Sequence, residues 1–260
     1  MKKPQTINEY KTWLKSELGF RISGADRQYY YSVAKAMREQ LLASDFWCDL
    51  SPTLERFDGQ YLSKTGYQLL ESLDPPDILV KPFDSFLLKT YRKNVINNMR
   101  WSDQISPPSG GWITPENWFS EINDIIRTLF VVRYLDGVEF LAESIEELAS
   151  QHGVSCTVSY EAKETGYYAA HLDIMLDCEI PDRYWGTARI LSTIEFQITT
   201  QVQELIRRLL HRRYEIERKS QPSTSVKGWQ WDYNNQQFTL NYMGHLLHYV
   251  EGMIMQLRDA

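Results

Sequence analysis

Alternation with a period of two recurs along the second half of this chain and sets the frame for its fold. Ile125 to Tyr134 is rich in β-branched and aromatic residues and reads as a strand. Val154 to Tyr160, the segment around His171 to Leu176, and Ala188 to Ile198 read the same way. Between them the period changes. After an Asp136-Gly137 turn, Val138, Leu141, Ile145 and Leu148 fall at helical spacing over a segment ending near Ala149. A helix is predicted from Thr200 to about Glu217, and a last amphipathic helix from about Leu240 to Leu257, after Trp229-Gln230-Trp231. The polar segment Ser220 to Ser225 carries a proline and breaks the chain between those two helices.

The N-terminal part reads helical. Thr6 to Leu18 places Tyr10, Trp13 and Leu14 on one face, with Thr6 as cap. A second helix opens at Gly24-Ala25-Asp26 and runs to about Ser44. Leu50-Ser51-Pro52 breaks the pattern, and a third helix is predicted from Leu54 to Leu70. Asp74-Pro75-Pro76-Asp77 is a loop. Ile78-Leu79-Val80 is a short buried strand, followed by a helix from Ser85 to about Met99. Residues 102–117 are the most loop-like segment and sit inside the core region, as a functional loop does rather than a linker. The expected class is α+β: a mixed sheet flanked by N-terminal helices and a C-terminal helix. Residues 1–73 form an N-terminal helical segment, 74–219 the core, and 220–260 a helical extension packed on it.

Composition removes several classes. Hydrophobic residues are 43% and charged residues 24% of the 260, an ordinary globular balance that excludes wholesale disorder. A net charge of -6 argues against nonspecific coating of nucleic acid. Cys48, Cys156 and Cys178 are scattered and odd in number, without a Cys-x-x-Cys, so neither a disulfide framework nor a zinc knuckle is expected. The first 17 residues hold no apolar run of signal-peptide length, and no segment reaches the ~18 apolar residues of a membrane helix. The expected setting is a reducing cytoplasm, with no membrane partner.

Four segments carry chemistry. In Lys81-Pro-Phe-Asp-Ser85-Phe-Leu-Leu-Lys89-Thr-Tyr-Arg92, a strand ends and a helix begins, and Lys89 and Arg92 lie along the helix from Ser85. Three cations and a helix N-terminus can hold a triphosphate, although a solvated helix face with a serine cap gives the same pattern. Asp124, where the chain passes into a strand, is a natural Mg²⁺ ligand and equally a common turn residue. In Lys163-Glu-Thr-Gly166-Tyr167-Tyr168-Ala-Ala-His171, glycine permits close approach, tyrosine offers a stacking face, and Lys and His offer donors. A hairpin with an aromatic strand would look alike. In Glu195-Phe-Gln197-Ile-Thr199-Thr200, Glu195, Gln197 and Thr199 alternate to one face and Phe196 and Ile198 to the other. A carboxylate on such a strand is costly unless paired, hydrogen-bonded or metal-bound.

In this order and spacing, over about residues 78–215, the four segments resemble the RelA/SpoT-type (p)ppGpp synthetases. Lys81, Ser85, Lys89 and Arg92 match the family's Lys-x-x-x-Ser-x-x-x-Lys-x-x-Arg. Asp124 and Ile125 match Asp-Ile-x-Gly-x-Arg, with Arg127 in place of Gly and Leu129 in place of Arg. Lys163, Gly166, Tyr167 and His171 match the Lys…Gly-Tyr-Arg-Ser-Leu-His form, with Tyr168 replacing Arg. Glu195, Gln197, Ile198 and Thr200 match Glu-Ile-Gln-Ile-Arg-Thr, with Thr199 replacing Arg.

The resemblance implies a nucleotidyltransferase-like core and a GTP diphosphokinase-like activity. Such an enzyme moves the β,γ-pyrophosphate of ATP to a ribose 3′-hydroxyl, most often of GDP or GTP to give (p)ppGpp. Lys81, Ser85, Lys89 and Arg92 would bind ATP, with Arg127 substituting for arginines absent at Leu79 and Leu129. Asp124 and Glu195 would be catalytic and hold Mg²⁺. Lys163, Tyr167, His171 and Gln197 would bind the acceptor. No His-Asp motif of the family's hydrolase domain is present, so synthesis without hydrolysis is expected. A toxin-like branch modifies the tRNA 3′ end, and Arg207, Arg208, His211, Arg212 and Arg213 form a basic stripe that would suit it. An inactive nucleotide-binding or interaction module is a third reading, against which the joint presence of Asp124 and Glu195 argues. The acceptor, an antitoxin partner and a homo-oligomeric state stay open at the level of sequence.

Overall fold

The computed structural model describes residues 3–101, 106–183, 186–208 and 228–260. In chain order the elements are α1 (Ile7–Leu18), α2 (Gly24–Ala43), α3 (Asp45–Thr65), β1 (Leu79–Val80), α4 (Phe83–Tyr91) continuing into a π-turn (Arg92–Ile96), α5 (Trp118–Glu121) and β2 (Ile126–Val132). There follow α6 (Asp136–Gln151), β3 (Cys156–Ala162), β4 (Tyr168–Pro181), β5 (Thr187–Thr200), helical residues 201–208 (α7), a 3₁₀ turn (Trp229–Trp231) and α8 (Gln236–Arg258). The five strands form one sheet in the order β1-β2-β5-β4-β3. β1 is antiparallel to β2, with Leu79 opposite Arg127 and Val80 opposite Ile126. Tight hairpins join β3 to β4 and β4 to β5: Lys163 N–H donates to Tyr167 O, and Asp182 N–H to Gly186 O, each at 2.9 Å. The expected α+β class, a mixed sheet with helices before and after it, is the one found. Among the described residues no helix is long and apolar enough to cross a membrane.

The chain divides into two compact units. The first comprises Met1–Ser44, Ile78–Arg127 and Asp173–Glu195, and the second Asp45–Asp77, Thr128–Leu172 and Phe196–Ala260.

In the first unit, α1 begins and ends as its sequence dictates. Thr6 Oγ1 accepts the Glu9 N–H at 3.2 Å, and Gly19 closes the helix in the left-handed conformation at φ 75°. Tyr10, Trp13 and Leu14 form its buried stripe. α2 opens on a Ser23–Asp26 capping box and buries Tyr30, Val33, Ala34, Met37 and Leu41. Tyr30 packs with Phe83, Phe86 and Phe119 to make an aromatic bed beneath α4. The long proline- and glycine-bearing loop is anchored rather than loose where it is described. Asn94 Nδ2 donates to Ile113 O and its Oδ1 accepts the Ile113 N–H, at 2.8 and 2.9 Å, while Asn98 Nδ2 donates to Ser106 O at 2.9 Å.

In the second unit the sequence expectation for α3 is corrected. The helix starts at Asp45, runs through Pro52 and ends at Thr65, instead of running from Leu54 to Leu70. An interior proline costs a helix about 3 kcal/mol. Here Phe46, Trp47 and Leu50 before it lie in phase with Leu54, Phe57 and Tyr61 after it, so one continuous buried stripe outweighs the break. Leu69 and Leu70 are outside the helix because Asp58 Oδ1 accepts both their N–H groups, at 2.8 and 3.0 Å, and Leu70 bridges to Val132. Asp136 opens α6 rather than a turn before it. Its carboxylate accepts from the Tyr61 hydroxyl at 2.6 Å and from Arg258 of α8 at 2.7 Å, which ties α3, α6 and α8 together. α8 also lies directly on the β3–β4 hairpin. A Cβ at Gly244 would fall 2.4 Å from Gly166 O, so only glycine fits there.

Candidate active site

In the first unit, Lys81 and Lys89 meet at Asp124. β1 ends at Val80, and the next residue, Lys81, is held from both sides: its N–H donates to Ile125 O at 2.9 Å and its carbonyl accepts the Tyr30 hydroxyl at 2.7 Å. This fixed backbone sends the Lys81 ammonium to Asp124 Oδ2 at 2.7 Å. Lys89, on α4, comes to 3.0 Å from Asp124 Oδ1 and donates to Asn123 O at 3.3 Å. The contact with Oδ1 is an ion pair without hydrogen-bond geometry, so that buried oxygen accepts no hydrogen bond. Asp124 has φ 68°, the only positive φ of a non-glycine among the described residues. Such a conformation costs about 1–2 kcal/mol and is tolerated best by Asp and Asn. Two lysines on one side chain hold it there.

Burial pulls the Lys81 pKa below its ordinary value, against the opposing attraction of Asp124. Burial also lowers that of Lys93, helped by the like charge of Lys89. Lys93 lies in the π-turn and donates to Glu121 O at 2.8 Å, which adds a cation the sequence reading did not single out. Helix α4 starts at Phe83, two residues before the expected Ser85, so Ser85 lies within its first turn. The Phe83 N–H is already taken by the Tyr31 hydroxyl at 3.1 Å. The α-helix gives way at Arg92 to the π-turn and does not continue to Met99. Arg127 lies on the half-buried alternation of β2.

Glu195 stands on β5, next to β2 in the sheet. Phe196 and Ile198 are fully buried while Glu195 and Gln197 are half-buried, which is the alternation the sequence predicts. A further carboxylate, Asp173 of β4, accepts Asn123 Nδ2 at 3.2 Å. Thr193 Oγ1 meets Met175 Sδ at 3.3 Å, so the alternation containing Thr193 and Glu195 shares a sheet face with that containing Asp173 and Met175. Asp173 lies two residues after His171 on the same alternation, a signal available in the sequence.

The second unit gathers the other group. Tyr167 Oη and His171 Nε2 are 2.8 Å apart, and Lys163 Nζ lies 5.1 Å from the centre of the Tyr167 ring. Glu161, which sequence reasoning missed, forms an ion pair with Lys163 and lies 3.8 Å from His171 Nε2. Gly166 permits the turn at φ 75°. Tyr168 turns to α8: its ring stacks on His248 at 3.6 Å and its hydroxyl meets His245 Nδ1 at 2.8 Å. Thr199 Oγ1 donates to Tyr168 O at 3.0 Å. Gln197 continues the half-buried alternation of β5. A cavity of about 400 Å³ in this unit is lined by Glu161, Tyr168, Gln203 and His248 among mainly apolar neighbours. In the basic stripe, Arg208 Nε donates to Glu204 Oε1 at 2.7 Å and Arg207 binds the same carboxylate. His211, Arg212 and Arg213 lie outside the described residues.

No protein-family model matches the sequence. No curated protein matches it. Solved structures match its fold. One is the small alarmone synthetase 1 of Bacillus subtilis bound to its product pppGpp, at TM-score 0.51 and 16% identity, over 81% of this chain and 90% of that one. Another is a GTP pyrophosphokinase family protein from Streptococcus pneumoniae, at TM-score 0.53 and 16% identity, over 92% and 95%. A second structure of the small alarmone synthetase 1 of Bacillus subtilis matches at TM-score 0.52 and 15% identity, over 86% of this chain and 96% of that one. The chain therefore has the fold of the small alarmone synthetases and GTP pyrophosphokinase family proteins.

Proposed function

We propose that this protein is an ATP-dependent pyrophosphotransferase of the RelA/SpoT type that acts on GDP or GTP to make (p)ppGpp. The observation that carries the reading is the Lys81–Asp124–Lys89 cluster, on a fold shared with small alarmone synthetases. A left-handed aspartate between two part-buried lysines is a costly arrangement for an inert scaffold, and an apt one for gathering phosphate oxygens.

In this reading the acceptor 3′-oxygen attacks the β-phosphorus of ATP, the bond from that phosphorus to the α-phosphate oxygen breaks, and AMP leaves. Lys81, Lys89, Arg92 and Lys93 neutralise the triphosphate, Ser85 donates to it, and Arg127 serves the donor end. Glu195 takes the proton from the 3′-hydroxyl. Tyr167 stacks on the acceptor base, with Lys163, His171 and Gln197 beside it. Catalysis of this kind is positioning plus charge neutralisation.

The residues fit a magnesium ion. Asp124 Oδ1 is buried and accepts no hydrogen bond, and Mg²⁺ binds through one or two carboxylates together with substrate phosphates. Among the described residues no group of three or more His, Cys, Asp or Glu could hold a metal ion. Asp124 and Glu195 would hold the ion, and when bound it would supply neutralisation of phosphate charge.

Transfer to the tRNA 3′ end draws no support from the described residues, because Arg207 and Arg208 are both engaged by Glu204. The test is thin-layer separation after incubation with γ-labelled ATP and GDP, GTP or bulk tRNA. Label on guanine nucleotide supports the proposal. Label on tRNA alone, or on no acceptor, overturns it.

A further inference from the structure

We infer that Glu161 is a specificity-determining residue, a counter-charge on the acceptor side that sets how many 5′-phosphates the acceptor carries. The inference rests on the acceptor role proposed for Tyr167, Lys163 and His171. Glu161 lies on β3, and its neighbours on the hairpin are the donors a nucleotide would meet. Its carboxylate forms an ion pair with Lys163, and its Oε2 lies 3.8 Å from His171 Nε2. Oε2 is buried and accepts no hydrogen bond, while the Glu161 side chain is 34% exposed, so its charge acts on these groups through a largely water-like medium. Lys163 lies over the Tyr167 ring, and Tyr167 and His171 are bonded to each other.

The four groups form one unit with a single carboxylate among them. Its effect is electrostatic. Lys163 and Glu161 together carry no net charge, so this side offers a growing polyphosphate little attraction. The neighbouring positions add no cation: Tyr168 is turned to His245 and His248, and Thr199 is bonded to the Tyr168 carbonyl. Each further unit of negative charge brought to about 6 Å from a carboxylate in a water-like medium weakens binding about three-fold. GMP, GDP and GTP gain one such charge per step, so GTP relative to GMP is disfavoured about ten-fold by Glu161 alone.

The experiment measures kcat/KM for GMP, GDP and GTP in wild type, Glu161→Gln, Glu161→Asp, Lys163→Gln and the double variant Glu161→Gln/Lys163→Gln. In Glu161→Gln the GTP-to-GMP ratio rises about ten-fold, through KM. Raising salt from 50 to 300 mM shrinks that gain, because the effect is screened. Glu161→Asp keeps the wild-type ratio. By the same arithmetic Lys163→Gln, which leaves Glu161 uncompensated, lowers the ratio about ten-fold, and the double variant returns to near the wild-type ratio. An unchanged ratio in Glu161→Gln overturns the inference. If wild type labels none of the three acceptors, the pyrophosphotransfer reading has failed. Calorimetric binding of the same nucleotides then judges Glu161: the same shift in order upholds its role, and no shift or no binding refutes it.

Discussion

Replacing Asp124 with Asn removes one negative charge and almost nothing else. Asn tolerates φ 68° about as well as Asp and keeps an oxygen for Lys81. What changes is the company of the lysines. The Lys81 side chain is only 12% exposed and Asp124 equally so, while Lys89 is 31% exposed and loses less. Breaking a fully buried pair costs about 3–5 kcal/mol, and this pair retains a hydrogen bond and some solvent, so about 2–3 kcal/mol is expected at pH 7.

The pH dependence has a definite sign. Burial already lowers the folded-state pKa of Lys81, and losing Asp124 lowers it further. For a base with a depressed folded pKa the destabilisation is full below that pKa and disappears as pH rises past the unfolded value of about 10.5. The gap between wild type and Asp124→Asn therefore narrows from pH 7 to pH 10. Adding Lys81→Met should restore about 1–2 kcal/mol by removing the orphaned ammonium. Asp124→Gly should exceed Asp124→Ala by about 1 kcal/mol, since only the latter bears a Cβ at positive φ. The assay is urea unfolding followed by tryptophan fluorescence and far-ultraviolet dichroism. An Asp124→Asn protein within 0.5 kcal/mol of wild type, or a Lys81→Met/Asp124→Asn protein less stable than Asp124→Asn, would refute the reasoning.

Three other outcomes are expected. Lys89→Ala and Arg92→Ala should each raise the KM for ATP by about ten-fold or more while barely moving that for the acceptor, since a charge-assisted contact is worth about 1.5–3 kcal/mol; initial rates over both substrates check this. Gly244→Ala should lose about 1–3 kcal/mol of stability, because its Cβ would meet Gly166 O at 2.4 Å, and denaturant titration reads the loss. Tyr10 is fully buried and its pKa is pushed up to about 12 by burial, so its share of stability is complete below pH 10 and is lost as pH rises to about 12. Unfolding measured from pH 9 to 12 should steepen accordingly, and less so in Tyr10→Phe.

Much of the fold was legible because local chemistry and tertiary demand agree in it. Thr6 caps α1 as its identity suggests, and the fully buried Phe196 and Ile198 flank the half-buried Gln197 as period-two alternation requires. α3 was misread because proline propensity is local, whereas the stripe from Phe46 to Tyr61 that overrides it needs a partner surface to be seen. In the candidate site, the meeting of Lys81, Lys89 and Asp124 follows from motif order, but the left-handed backbone of Asp124 has no sequence signature. Asp173 was missed because its partner Asn123 lies fifty residues earlier, and the stacking of Tyr168 on His248 was not legible because its ring answers to α8 rather than to its own strand. The Glu161–Lys163 pair, two residues apart at the end of β3, shares a face as strand alternation allows.

The most direct test of the central claim is the identity of both products. Incubation with ATP and GDP, followed by phosphorus magnetic resonance and mass measurement, should show a pyrophosphate on the acceptor 3′-oxygen and one AMP for each acceptor modified. Release of ADP with a single phosphate transferred, or unaltered GDP after complete incubation, would contradict the account.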